Sequence, residues 1–506
     1  MNRNPHPPLL RSAFGIALAA SLAACAVGPA YEQPPVMASL AWKEATTAPG
    51  WVPAAPADTQ DRGAWWEVFG DAQLDALAQK AEASNQNIAA AVATYAQAQA
   101  AVREQRAALF PSLGLTVSSR RGGTRGAGNA SSASSGALGA DWAPDLWGRL
   151  RATVSSAQAQ AQASEADLAS ARLSAIGDLV LNYFSLRETD AELATLAQTI
   201  EGYDRSLTIA RNRYAAGIAA HTDLLQAETT LANARVDYAA LQRTRAGYEH
   251  AIAVLTGVPP ADLRIEPEAN WQPVLPEVPL AVPSQLLQRR PDIAAAERAV
   301  AAANAQIGIA RSAYFPSLSL NGSLGRTGAS LSDLFDKSDV VWSLGLSIAQ
   351  VLFDAGAIGA RVDQTVAARD AAIARYRQTT LAAFQSVEDQ LSALASLAQQ
   401  EAQRRAASAA ADKTEEQIMN RYRAGQLDYT SVVVAQTSAL SARRSVLQLQ
   451  VARQNAAVGL IQAMGGGWQA EWMRDAPPAP ADADAQANID TDTNADTHAD
   501  RPAEPQ

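Results

Sequence analysis

Arg213-Tyr214-Ala215-Ala216-Gly217 returns 208 residues later as Arg421-Tyr422-Arg423-Ala424-Gly425, and what surrounds each copy decides the fold. Upstream of the first copy no proline occurs between Gly148 and Ala216. As one helix those roughly 69 residues would reach on the order of 100 Å, too long for a compact domain. Within them Leu193, Leu196, Ile200, Tyr203, Leu207, Ala210 and Tyr214 alternate spacings of three and four. That is the heptad rhythm of helices packed side by side. Beyond Gly217 the rhythm resumes at Leu231, Ala234, Tyr238, Leu241, Arg245, Tyr248, Ile252 and Leu255, with Arg245 its one charged member. The pattern predicts a helical hairpin with its tip at 216 to 222. Glycine ends the first helix, and Thr222 or Asp223 caps the second. The second copy predicts the same hairpin with its tip at 424 to 431.

The repetition extends well beyond the tips. Leu109-Phe110-Pro111-Ser112-Leu113 recurs as Tyr314-Phe315-Pro316-Ser317-Leu318, and Leu255-Thr256-Gly257 has an echo in Ala463-Met464-Gly465. Leu146-Trp147-Gly148 has a looser echo in Phe353-Asp354-Ala355-Gly356. Marks kept in one order at one long period describe two copies of a single structural unit. Each unit opens with a helix, 71 to 109 and 291 to 313, rich in Ala, Gln and Glu and stopped by Phe-Pro. Short alternating segments follow: Leu113, Leu115, Val117; Leu138, Ala140, Trp142; Leu318, Leu320, Leu324; and Trp342, Leu344, Leu346, Ile348. Period two gives strands with one apolar and one small, polar face. Between the strands of each pair lie Gly/Ser-rich stretches, 120 to 136 and 325 to 339, read as loops.

The ends of the chain address it. Arg3 and Arg11 precede an apolar run from Ala13 to Ala24, the pattern of a secretory leader and too short for a membrane span. Leu22-Ala23-Ala24 runs into Cys25, the single cysteine, and resembles a bacterial lipobox. There the sulfur takes a diacylglycerol and the freed amine an acyl chain such as palmitoyl, enough for stable anchoring. Ala26 in place of aspartate points to the outer membrane. Loss of residues 1 to 24 leaves 39 basic against 51 acidic residues, a net −12, which argues against nucleic acid as a partner. After residue 24 no uncharged apolar run approaches 20 residues, so any membrane crossing falls to a closed barrel. Four strands cannot close one, whereas three copies would supply twelve. On the strand pattern alone, a four-stranded sheet packed on helices in solution stands equal to the barrel; the exported, lipid-anchored context favours the barrel.

Lipobox, Cys25-Ala26-Val27-Gly28-Pro29-Ala30-Tyr31, Pro34-Pro35, Trp65-Trp66, Leu286-Leu287-Gln288-Arg289-Arg290-Pro291-Asp292-Ile293 and the paired Arg-Tyr-x-x-Gly tips together resemble the NodT branch of the TolC-like outer-membrane efflux proteins. The resemblance spans nearly all of residues 25 to 468. It implies a mainly α fold with a small β-barrel portion: long coiled-coil hairpins in two tandem repeats and four transmembrane strands per chain. A homotrimer would form a 12-stranded barrel and a 12-helix periplasmic tunnel. The implied segments are a leader (1–24), a lipidated extended segment (25–63), a first repeat (64–257), a Pro-rich equatorial connector (258–290), a second repeat (291–468) and a disordered acidic tail (469–506).

The same resemblance implies partners and sites. A periplasmic adaptor and an inner-membrane pump of the resistance-nodulation-division class would join the trimer, and the duct itself would be passive. Gly217 and Gly425 fall where hairpin tips meet the adaptor, while Asp223 and Tyr422 fall on gate positions. Asp223 reads equally as a helix cap, and Tyr422 and Tyr214 as knobs in the seam. Relatives often carry aspartate where this chain has Val434, and Asp428 is the nearby acid that could stand in.

Catalysis has no support in the residues. His221, His250 and His498 lack ligand spacing, and no phosphate-binding loop or nucleophile elbow occurs, so no cofactor or metal is expected. The leading function is a tripartite efflux exit duct for drugs or other toxic small molecules. The same duct in type I protein secretion, or a pore-free lipid-anchored spacer, are the alternatives.

Overall fold

A computed structural model describes residues 27–36, 42–44, 64–123, 130–276, 290–336 and 339–466. Cys25, the leader, most of the segment up to residue 63, Leu286 to Arg289 and the acidic tail lie outside the described residues. The order is α1 (Ala72–Ser84), α2 (Gln86–Ala107), β1 (Ser112–Gly123), β2 (Ala130–Trp142), α3 (Arg149–Ala215) and α4 (His221–Leu255). It continues with α5 (Pro291–Arg311), β3 (Ser317–Gly328), β4 (Asp339–Ala349), α6 (Ala357–Arg423) and α7 (Tyr429–Ala463).

The internal repeat is kept to the residue. α3 and α6 both run 67 residues and α4 and α7 both run 35, each second copy 208 positions after the first. α2 and α5 begin 205 positions apart, as do β1 and β3. The three extra residues therefore enter between β3 and Gly356. Each long helix folds back on its short partner, α3 along α4 and α6 along α7. α5 lies between α3 and α6, and α7 also packs on α3.

The first helix departs from expectation. A single helix was expected over 71 to 109, yet the chain breaks at Asn85, which is extended (φ −65°, ψ 126°). Its side chain accepts from the amides of Asn87 and Ile88 and donates to the Leu255 carbonyl, so it caps α2 while tying it to the end of α4. Asp71 caps α1 in the same way.

Strand pairing is antiparallel throughout, in the order β1-β2-β3-β4. The strands reach 11 to 13 residues and extend into stretches expected to be loops: 120 to 123, 130 to 136 and 325 to 328. Small residues suffice there because the ladder is made by backbone groups, with hydroxyl pairs such as Ser119–Ser134 (3.0 Å) bridging the strands.

The charged member of the seam, Arg245, sits in a buried ion cluster. Its Nε donates to Asp190 (2.6 Å), whose other oxygen takes Arg187 (3.0 Å) and the Glu268 amide (3.2 Å). Arg187 also donates to the Glu266 carbonyl and Arg245 to the Ile265 carbonyl. The connector after α4 is thereby pinned across the two helices, and Ile265 and Trp271 enter the core with Trp66, Phe69 and Phe184.

On the same helix, one turn before Glu192, burial pushes the Glu188 carboxyl up to about 7, with Glu192 adding and Arg444 opposing. A carboxyl whose folded pKa lies above its unfolded value of about 4.3 binds its proton more tightly when folded. Its stabilising contribution is therefore present below about pH 4.3 and lost as pH rises through about 7. Glu188→Gln is expected to flatten the fall of Tm across that window; an unchanged slope would contradict the assignment.

The N-terminal strap lies along α5. Tyr31 donates to Glu297, Asn304 donates to the Pro29 carbonyl (3.1 Å), and the Val27 amide donates to the Trp147 carbonyl (3.4 Å). Gly28 and Gly308 permit the contact, because a Cβ on Gly308 would stand 3.0 Å from the Gly28 Cα.

Candidate functional site

Two regions carry the features expected of a conduit: the sheet faces and the hairpin tips. In register across the sheet, Leu115, Leu138, Leu324 and Trp342 form one row, and Leu113, Ala140, Gly322 and Leu344 the next on the same face. Their large side chains are exposed, Leu115 at 74% and Leu344 at 71%. The opposite face pairs Ser118 with Ser135 (2.9 Å), Ser323 with Ser343 (2.8 Å) and Asn321 with Asp141 (2.7 Å). An exposed apolar face in water is unfavourable at roughly 25 cal/mol per Å², so this sheet is built for a nonpolar surround on one side only. No helix among the described residues is long and apolar enough to cross a membrane.

At the other end of the long helices lie the tips. Gly217 (φ +73°) and Gly425 (φ +77°) take the left-handed turn that ends α3 and α6. The amides of Ile218 and Gln426 then return to the carbonyls of Arg213 and Arg421, both at 2.9 Å. Behind the turns, Tyr203, Leu207, Ala227, Leu231, Tyr422, Tyr429 and Val432 from all four helices share one apolar core. Tyr422 is 1% exposed and meets Tyr429 edge-on, ring centroids 5.4 Å apart. Burial raises both hydroxyl pKa values above the ordinary tyrosine range, and the Asp223 charge adds to each. Burial also lifts Tyr203 to about 12.

The family model for outer membrane efflux proteins matches residues 77–258 and 282–466. The probable efflux pump outer membrane protein TtgC of Pseudomonas putida is 31% identical over 460 residues, covering 88% of this chain and 93% of that one. Among solved structures, the outer-membrane channel OprN matches with a TM-score of 0.80 at 29% identity, covering 88% of this chain and 100% of that one. The open state of the MtrE outer membrane channel of Neisseria gonorrhoeae gives 0.77 at 28%, covering 88% and 99%.

This chain belongs to the outer membrane efflux protein family. It is an outer-membrane channel subunit and serves as the exit duct of an efflux pump, with long helical hairpins forming the tunnel portion and a small antiparallel sheet.

Within this efflux channel subunit the site residues fall as follows. Asp223 lies half-buried in the first turn of α4, but it does not cap that helix. The N-cap is Ala220, without a side-chain bond, so neither Thr222 nor Asp223 has the capping role expected of it. Asp428 does cap: its carboxylate accepts from the Ser431 hydroxyl (2.7 Å) and amide (3.1 Å), which hold its pKa below the usual range. Tyr214 is not a seam knob. It is exposed with its ring 5.0 Å from that of His221, because α3 ends one residue later and α4 begins only at His221. Val434 is 60% exposed on α7.

Arg213 was missed by the sequence reading. Its guanidinium lies 4.7 Å from the Tyr422 ring centroid and donates to the Tyr422 carbonyl, so the first hairpin grips the second at its tip. The repeat gave no signal for it, since its counterpart Arg421 is exposed and the two differ in role. A charged hydrogen bond contributes about 1.5–3 kcal/mol and a cation–π contact about 0.5–2. Arg213→Gln is expected to loosen the second tip and speed tryptic cleavage after Arg421 and Arg423. An unchanged digestion pattern would count against the clamp.

Proposed function

We propose that three copies of this subunit close a 12-stranded barrel in the outer membrane above a 12-helix periplasmic tunnel, anchored by lipid at Cys25. The observation that carries this reading is the open sheet: one apolar face, one small polar face, and outer strands β1 and β4 with unpaired edges among the described residues. With an even number of alternating strands, β4 of one copy meets β1 of the next antiparallel, so every backbone group can be satisfied in lipid. The Val27 bond to Trp147 supports the anchor, since it places the chain just after Cys25 beside the base of the sheet.

The partners fit the same scheme. A periplasmic adaptor would dock on the tips around Gly217 and Gly425, and an inner-membrane pump of the resistance-nodulation-division class would supply the energy. Asp223 would face the gate, with Tyr422 packed behind it in the tip core and Asp428 fixing the second tip from its cap position. The cargo is drugs or other toxic small molecules, and the duct works on them without chemistry or cofactor. Residues 64–257 and 291–468 would be the two working repeats.

Two substitutions test the scheme. Cys25→Ser should abolish labelling by radioactive palmitate, and labelling that persists rules the anchor out. In planar bilayers the protein should give stepwise conductance, and Asp223→Ala should weaken its block by divalent cations. A channel indifferent to that change leaves Asp223 outside the gate.

A further inference from the structure

Where the sheet meets the helices there is a cavity of about 520 Å³ whose walls include Trp147, Phe315, Arg149, Gln306 and Arg361. Two placements fix the side on which it opens. On α5 the strap touches Glu297, Asn304 and Gly308, whereas Gln306 lies about 200° around the helix from Asn304 at 3.6 residues per turn. Of the β-strand residues lining the cavity, Ser317 and Ala349, partners across β3 and β4, belong to the small, polar face of the sheet, and Leu318 closes it from the apolar side. The cavity therefore opens away from the strap, on the side that faces the lumen once the apolar face meets lipid.

Its chemistry departs from that of the chain around it. The sequence carries a net −10, yet the two arginines here have no ion pair among the described residues. Asp145, which also lines the cavity, is already engaged by Arg151 (3.3 Å) and by the amides of Leu150 and Arg151. Trp147 and Phe315 stack with centroids 4.9 Å apart and planes at 26°, and Trp147 is fixed by its indole bond to the Pro316 carbonyl (2.7 Å). A guanidinium matches a carboxylate or sulfonate with paired hydrogen bonds, and a held aromatic pair offers an apolar wall to a flat ring.

We propose that this cavity is a lumenal binding site for planar organic anions, aromatic carboxylates and sulfonates, on their way out of the duct. The proposal rests on the channel reading above. With copies arranged around an axis, the arginine pairs would form a positive collar that raises the local concentration of anionic cargo.

The test uses the full-length protein in planar bilayers with 2-naphthalenesulfonate as probe and naphthylmethylammonium as its cationic counterpart. The sulfonate should block the current reversibly. In the Arg149→Gln/Arg361→Gln double variant its apparent Kd should rise about tenfold or more, equivalent to roughly 1.4 kcal/mol. The Lys/Lys variant should recover part of the block, because charge returns without the planar fork, and block by the ammonium probe should not weaken. Equal sulfonate block in natural and Gln/Gln proteins of intact conductance overturns the site while leaving the channel. Absence of conductance in the natural protein overturns both.

Discussion

Replacing Asp190 by alanine is expected to destabilise the subunit by up to about 3–5 kcal/mol, the cost of breaking a buried ion cluster at its shared carboxylate. The Asp190 side chain is fully buried and pairs with Arg187 (3% exposed) and Arg245 (13%) at once. Alanine removes the carboxylate the two guanidinium groups share and frees the Glu268 amide; Arg245 keeps Glu249 (3.4 Å) and the Ile265 carbonyl, and Arg187 keeps the more distant Glu268 carboxylate (3.6 Å), Gln73 and the Glu266 carbonyl. The connector that crosses α3 and α4 would then lose its fastening. Thermal unfolding of detergent-solubilised protein should show a large drop in Tm for Asp190→Ala, with Glu201→Ala, from an exposed pair, close to neutral. Equal, small shifts for the two would mean the cluster is not what holds the connector.

The second large effect lies in the sheet. Leu344→Arg places a charge on the apolar face, where a cation costs about 2–4 kcal/mol near the bilayer midplane, and every copy in the barrel carries it. Ser343→Arg, one residue away, places the same charge on the polar face. Outer-membrane fractions should lose the Leu344 variant and retain the Ser343 variant. Retention of both would mean that the exposed apolar face does not meet lipid.

Much of this is legible in the sequence, for physical reasons that differ by region. The long hairpins were readable because heptad spacing and absence of proline act over dozens of residues, and because the second copy repeats the evidence. The strands were readable at Leu113 to Val117 and Trp342 to Ile348, where large and small residues alternate. They were not readable at Ser131 to Gly136, where every residue is small and only backbone pairing defines the strand. The Asn85 break was invisible because the helix-forming composition continues on both sides, and the tertiary bond to Leu255 leaves no local mark.

The tips divided in the same way. Gly217 and Gly425 announced the turns through the left-handed backbone that glycine allows. The roles of Asp223 and Asp428 could not be separated by composition, since both stand near a helix start. Only Asp428 is extended with its carboxylate over the first turn: it stands immediately before α7, where the first copy has Ala220, whereas Asp223 is already the third residue of α4. Arg213 and Arg421 occupy equivalent places in the repeat, yet one clamps and the other is solvated. The asymmetry arises from how the two hairpins pack, which no single repeat encodes.

On the proposal above, the open sheet of one copy is completed by its neighbours into a closed ring of three. Leu115→Cys on β1, combined in turn with Trp342→Cys, Leu344→Cys and Leu346→Cys on β4, tests it through disulfide formation in isolated outer membranes. One of these pairs should give a ladder on a denaturing gel that ends at the covalent trimer, with the trimer dominating at full oxidation. A ladder that stops at the dimer or continues past three, or no crosslink from any pair, would rule out the closed ring of three.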